Sequence, residues 1–205
     1  MPSNLVSQVD ILTASIPKIN DAFPGSSYAG PTNQATYGSQ VGARFALGND
    51  DPMITRQSAL FGGMFQYVQF YASQTATPTI GNIAFWQTDT TYVVTSDEPT
   101  GVSDIAGILV SAPTKGNYGV IQIDGKVAIN FRATITKATP AIGDLVLAAA
   151  AGAGVDNAKA DVLADATNIT SVQFRHVLGI AVVAPVGGSA KAVRLGAGVG
   201  QRMNF

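Results

Sequence analysis

From Met64 onward, apolar and polar positions alternate in short runs separated by turn residues, and each run has the length of a β-strand rather than of a helix. In the aromatic run Met64–Ala72, Met64, Gln66, Val68 and Phe70 fall on one face and Phe65, Tyr67, Gln69 and Tyr71 on the other. Both faces therefore carry apolar or aromatic groups, and the spacing predicts a strand covered on both sides, one side being available to another subunit. Gly81–Trp86 and Tyr92–Thr95 are separated by the polar stretch 87–91 and form a hairpin-like pair, closed by a loop over 97–101. Ile105–Leu109 is a further apolar run. In Gly116–Asn130, GNYGVIQIDGKVAIN, two alternating runs meet at Asp124-Gly125. An Asp-Gly pair supplies the positive φ angles of a type I′ turn, so Val120–Ile123 and Val127–Ile129 are predicted to be the arms of a tight hairpin. Pro140 and Gly143 open a turn before a strand over 145–148, followed by a variable loop, a short helical turn over 161–166 and a short strand over 172–174. Val177–Val183 and Ala192–Leu195 make the last pair, joined through Pro185-Val186-Gly187-Gly188-Ser189. Strands recurring at short spacing without a long helix predict a mainly β chain, a sandwich or small barrel rather than a βαβ arrangement, over residues 52–196. Residues 197–205 read as a glycine-rich tail ending in Phe205.

Residues 1–51 differ in texture. Leu5, Val9, Leu12 and Ile16 are spaced by four, three and four, which suits one face of a short helix ending before Pro17. From Pro24 to Asp51 no period is sustained, and Gly, Ser, Asn and Pro recur every few residues. The segment nevertheless holds Phe23, Tyr28, Tyr37, Phe45 and Leu47, more apolar groups than a solvated linker needs. It reads as an extended, irregular N-terminal arm that docks on something, with a flexible tail as the plainer alternative.

Composition narrows the function classes. Charged residues make up only 12%, about half the usual share, with a formal net charge of −1. A surface with so little self-repulsion suits coverage by other subunits. The twelve Lys and Arg form no basic cluster, so no nucleic-acid groove is expected. The longest weakly polar run, Leu145–Val155, is far shorter than the roughly 20 residues a membrane helix needs, and MPSNLVSQVD lacks the basic and apolar regions of a secretory signal. The expectation is a protein made in the cytoplasm without a membrane segment.

Chemistry is sparse. There is no cysteine, which excludes disulfides, thiolate metal sites and cysteine nucleophiles. His176 is the single histidine, and at the entry to a strand it reads as structural rather than catalytic. Asp50-Asp51 and Asp97-Glu98 read as solvated turn residues rather than an acid–base pair. Gly152-Ala153-Gly154 and Gly196-Ala197-Gly198-Val199-Gly200 lack the Lys-Ser/Thr of a P-loop. No catalytic, cofactor-binding or metal-binding residue is assigned, and no enzyme is expected.

The order of these segments, from the aromatic strand through Gly81–Trp86, Tyr92–Thr95, Ile105–Leu109, GNYGVIQIDGKVAIN and Gly143–Leu147 to Val177–Val183, resembles the small β-barrel, β-tulip-like decoration or cement proteins that stud the capsids of tailed bacteriophages. The likeness covers roughly residues 62 to 195 and lies in strand and glycine order, without a catalytic signature. It implies a non-enzymatic virion subunit on the outer capsid surface, with the major capsid protein as partner. It further implies a homo-oligomer, a trimer before a dimer, bridging capsid subunits against the pressure of packaged DNA. Interface candidates are Leu5, Val9, Leu12, Ile16, Phe23, Tyr28, Tyr37 and Phe45 of the arm, and Phe65, Tyr67 and Tyr71 of the aromatic strand. The long arm departs from the smallest members of that family and leaves room for another virion role, such as a head-fibre base. The aromatics around Trp86 and Tyr92 leave room for a carbohydrate-binding tail or fibre module, though they suit barrel core better.

Overall fold

In the computed structural model, residues 42, 44–50, 61–88, 92–97, 104–149, 159–163, 177–196 and 199 are described. Ten strands carry the fold: β1 Arg44–Leu47, β2 Gly63–Phe70, β3 Ile83–Thr88, β4 Val93–Thr95, β5 Ile105–Leu109, β6 Tyr118–Asn130, β7 Leu145–Ala148, β8 Ala160–Val162, β9 Val177–Ala181 and β10 Ala190–Leu195. They form one sheet in the order β1-β2-β4-β3-β5-β6-β10-β9-β7-β8, and an additional pairing of β2 with β6 turns part of it into a ring. The mainly β expectation holds.

The strand β6 departs from the predicted hairpin. It does not reverse at Asp124-Gly125 but runs on as a single strand of 13 residues. Up to Gly125 it pairs with β2 and β5, and beyond it Lys126–Asn130 pair with β10. The positive φ anticipated at Gly125 is present, at 94°, yet the strand does not turn there: Gly125 stays paired with Gly63, two residues past the bulge. Opposite β2 the register slips by one residue, Met64 facing Asp124 while Phe65 faces Gln122. That slip changes which residues point inward. Tyr118 and Val120 belong to the larger core cluster before it, and Val127, Ile129 and Phe131 belong to the same cluster after it, so the inward parity switches from even to odd. Gln122, fully buried, fastens the bulge by donating from Nε2 to the carbonyls of Asp124 and Lys126 at 3.0 and 2.9 Å. Gly63 makes room for the close approach, since a Cβ there would lie 2.2 Å from the Asp124 carbonyl oxygen.

Two groups of strands meet along β6. The first is the ring of β2, β4, β3, β5 and the first half of β6, in which β2 and β4 run parallel (Gln69 with Val93, Phe70 with Val94) and the other neighbours antiparallel. The second comprises the later half of β6, β10, β9, β7 and β8. A parallel bridge between Phe131 and Ala160, with Arg132 N–H donating to the Ala160 carbonyl at 3.0 Å, brings β8 back to the end of β6. All five strands of the first ring contribute to one cluster of Val68, Phe70, Ala84, Trp86, Val94, Ala106, Leu109, Ile121 and Ile123. Their opposite faces, through Phe65, Tyr67, Ile83, Phe85 and Ile108, join a second cluster that continues into β7–β10. Both faces of β2 are thus filled by this chain itself.

Two further stretches differ from expectation. Arg44–Leu47, inside the segment read as an irregular arm, is a strand antiparallel to β2, held where Phe45 lies opposite Phe65. β8, Ala160–Val162, takes the first two residues of the helical turn predicted over 161–166, because Ala160 and Val162 alternate into the core while Asp161 is hydrogen-bonded between them. The expected helix over 5–16, the strand over 172–174 and the tail beyond 199 lie outside the described residues.

Candidate functional site

The residues singled out for chemistry serve the scaffold where they are described. Asp97 does not face a substrate site; its carboxylate accepts the N–H groups of Thr75 and Ala76 at 2.8 and 2.6 Å, pinning the loop after β2 to the end of β4. Asp161, almost wholly buried, accepts the N–H of Thr136 at 2.8 Å and of Val162 at 2.7 Å and the Thr136 hydroxyl, with Arg132 at 3.4 Å. It ties the segment after β6 to β8. Asp50 is exposed, while Asp51, Glu98, His176 and the glycines at 152 and 154 lie outside the described residues. Among the described residues no group of three or more His, Asp or Glu is placed to hold a metal ion.

The interface candidates separate into three groups. Leu5, Val9, Leu12, Ile16, Phe23, Tyr28 and Tyr37 lie outside the described residues. Phe65 and Tyr67 are core, which corrects their assignment to a surface: Phe65 is stacked on Phe45 with ring centroids 5.6 Å apart, and Tyr67 on Tyr118 at 6.0 Å. Alternation predicted that both faces of β2 are covered, but not that this chain's own strands cover them. Phe45 is half-buried in that stack, and Tyr71 alone of the described candidates is exposed. Trp86 is buried in the first ring with Tyr92 edge-on at 6.2 Å, whereas a sugar platform requires a ring that faces solvent.

A different surface is apolar and open. Besides Tyr71, the large hydrophobic side chains exposed among the described residues are Ile142 (70%), Ile180 (43%), Val183 (43%) and Val186 (53%), all within one 45-residue stretch of the second strand group. The backbone brings three of them together. The turn carrying Ile142 is bonded to β9 by Gly143 N–H to the Ala181 carbonyl and by Ala181 N–H to the Asp144 carbonyl, both at 2.9 Å. Ile180 stands opposite Leu145 on β7 and Arg194 on β10, and Val183 lies two residues beyond the end of β9. Sequence reasoning missed this face because Val177–Val183 is apolar at nearly every position, so alternation cannot say which side chains turn outward. Singly exposed aliphatics are ordinary, whereas contiguous apolar patches are the feature by which interaction surfaces are recognised.

No protein-family model matches this chain, and no curated protein matches it. The surface must be understood from its own chemistry.

Its rim is fixed by an ion pair. Asp144 accepts from Lys137 Nζ and from the Ala141 N–H, the latter at 2.7 Å, which holds the Ile142 turn against β7. Burial on its own raises the Asp144 carboxyl, but the hydrogen bonds from Lys137 and Ala141 and the charge of Lys137 outweigh it and hold the group below the usual carboxylate range. A carboxylate whose pKa is lower folded than unfolded stabilises the fold above the unfolded value of about 4, and that contribution is lost as pH falls through the folded value. Asp144→Asn is therefore expected to be less stable than the parent at pH 7 and to converge with it as pH falls through the folded value. Urea titrations at a series of pH values check this, and a constant difference across the series counts against the ion pair as its source.

Proposed function

We propose that this chain is a structural virion subunit that binds the outer surface of an assembled tailed-phage capsid and stabilises it by bridging capsid subunits. The observation that carries the reading is the exposed aliphatic surface of Ile142, Ile180 and Val183 on a body whose own two cores are already filled. Such a surface is made for association. The carboxylates Asp97, Asp144 and Asp161 are engaged in holding loops, and the 12% charge suits a protein partly enclosed by others. A subunit that contacts several capsid proteins at once adds its binding energy only to the assembled shell, because free capsid subunits offer it one contact at a time. Residues 1–41, rich in glycine, proline and isolated aromatics, suit an extended segment that adds main-chain hydrogen bonds to a neighbour's sheet edge.

Purified protein mixed with capsids of the phage that encodes it is expected to co-sediment saturably and to raise the temperature at which the shells break. Removal of residues 1–41 is expected to lower occupancy at least tenfold. Full-length protein that stays in the supernatant at about 10 μM capsid subunits ends this reading.

A further inference from the structure

Two cations stand face to face on the outer side of the second strand group. Val127 and Ile129 of β6 and Val193 and Leu195 of β10 turn into the core, so Lys126 and Arg194, direct partners in the β6–β10 ladder, both turn outward. Side chains in such a pair leave from Cβ atoms about 5 Å apart, and like charges placed there destabilise the pairing. No carboxylate relieves the conflict. The ion pairs among the described residues are Arg132 with Asp161 and Lys137 with Asp144, and Asp124, exposed two positions before Lys126 on the same strand, bonds to neither cation. Lys126 Nζ lies over the Phe61 ring, 4.2 Å from its centroid, while the exposed guanidinium of Arg194 has no side-chain partner among the described residues. The row then continues without charge. Ile180 stands beside Arg194 on β9 and Leu145 beside Ile180 on β7, with the turn that carries Ile142 leading into β7. Ala128 and Ala192 take the next outward position of the β6–β10 ladder, so the cations end at two.

Folded chains keep local conflicts of this kind chiefly where function requires them. We infer that Lys126 and Arg194 form a carboxylate-binding site at one end of the aliphatic row, and that its occupant is an acidic side chain on an otherwise aliphatic segment of the capsid protein. The inference rests on the capsid reading and gives that contact its chemistry. Arg194 offers a planar fork of donors that matches a carboxylate through two parallel hydrogen bonds, and Lys126, held by the Phe61 ring, supplies a second positive charge. A bound carboxylate removes the repulsion between them, relief that the free chain does not have. The aliphatic chains of Ile180 and Leu145 beside it keep water from the ion pair, the setting in which a charged anchor contributes most to an interface. Nucleic acid does not suit this site, because neutralising a phosphate backbone takes several cations in line and here two are bordered by alanine and isoleucine.

Co-sedimentation of the full-length chain with capsids assembled without it tests the site, together with urea unfolding of the free chain. Arg194→Gln is expected to bind at least about tenfold more weakly than the parent, yet to unfold at the same or a higher urea concentration, since it removes a repulsion and breaks no bond. A residue that served only the fold would lower both. Amidation of the capsid's surface carboxylates with a carbodiimide and ethanolamine is expected to weaken the parent at least about tenfold and Arg194→Gln less than about threefold, because the two changes remove the same contact. A parent chain that binds no capsid ends the capsid reading and this site with it. A parent that binds while Arg194→Gln binds equally well, or amidation that weakens both chains alike, overturns the site alone and leaves the capsid reading standing. Two further results overturn it: an Arg194→Gln chain that unfolds at lower urea, which places the arginine in the fold, and a dimer of the free parent that Arg194→Gln fails to form, which makes a second copy the occupant.

Discussion

Deletion of Gly125 is expected to abolish folding, although it removes no side chain. The chain beyond the bulge would be drawn back by one residue, and a shift of one position in a strand turns every side chain to the opposite face. Val127, Ile129 and Phe131, all buried in the larger cluster, would move to the places of Lys126, Ala128 and Asn130, and their own places would fall to Ala128, Asn130 and Arg132. Burial of such side chains contributes roughly 1.5–3 kcal/mol each, so three of them account for about 5–9 kcal/mol, comparable with the whole stability of a domain. Loss of the β6–β10 ladder would follow, since its register from Ala190 with Asn130 to Arg194 with Lys126 depends on the same phase. The expected observation is a chain without a cooperative denaturant transition and without dispersed amide resonances. Gly125→Val should fall short of that but remain severe: at a φ of 94° a Cβ would also lie 2.8 Å from the Gly62 carbonyl oxygen. A deletion variant that unfolds cooperatively with the parent's midpoint would mean that β6 is not the continuous strand described above.

The second large effect is expected at Gly179 on β9. A Cβ there would stand 1.9 Å from the Arg194 carbonyl oxygen and 3.0 Å from Leu195 Cα, both backbone atoms of the paired strand β10. Close-packed interiors have no slack for such an intrusion, and backbone cannot rotate aside as a side chain can. Gly179→Ala is expected to cost about 3 kcal/mol or more, at the upper end of single substitutions. Gly188→Ala supplies the control, because Gly188 has a φ of 73° but a Cβ there would meet nothing within 4 Å. It should lose only the roughly 1–2 kcal/mol of a left-handed alanine. Equal losses in the two variants would show that conformation rather than strand spacing governs both sites.

The sequence displayed the strands more clearly than their connections. Ile105–Leu109 was legible residue for residue, and Gly81–Trp86 with Tyr92–Thr95 marked the antiparallel pair β3 and β4 to within two residues, since alternation and turn residues act locally. Asp124-Gly125 misled because glycine takes a positive φ both in a type I′ turn and in this strand just past its bulge. What separates them is where the next residues find hydrogen-bond partners, and Lys126–Asn130 find theirs 60 to 68 positions downstream on β10. The parallel contact of β2 with β4 left no local trace for the same reason. At the candidate surface, Phe65 and Tyr67 attracted attention as aromatics although alternation cannot distinguish a face covered by another subunit from one covered by the chain's own β-strands. Ile180 escaped attention because its neighbours in sequence are also apolar.

The continuity of β6 has a consequence for how the molecule comes apart. Neither strand group has a complete complement of strands without it, so no cut in the chain yields two autonomous folding units. Heat or denaturant is expected to take both in a single transition. Formation is correspondingly demanding, because the partners of β6 lie about 55 residues upstream in β2 and about 65 downstream in β10, and the closure entropy of both loops precedes any reward. Folding should therefore be slow for a chain of this size, yet once both ends of that strand are engaged, local opening on one side is resisted from the other.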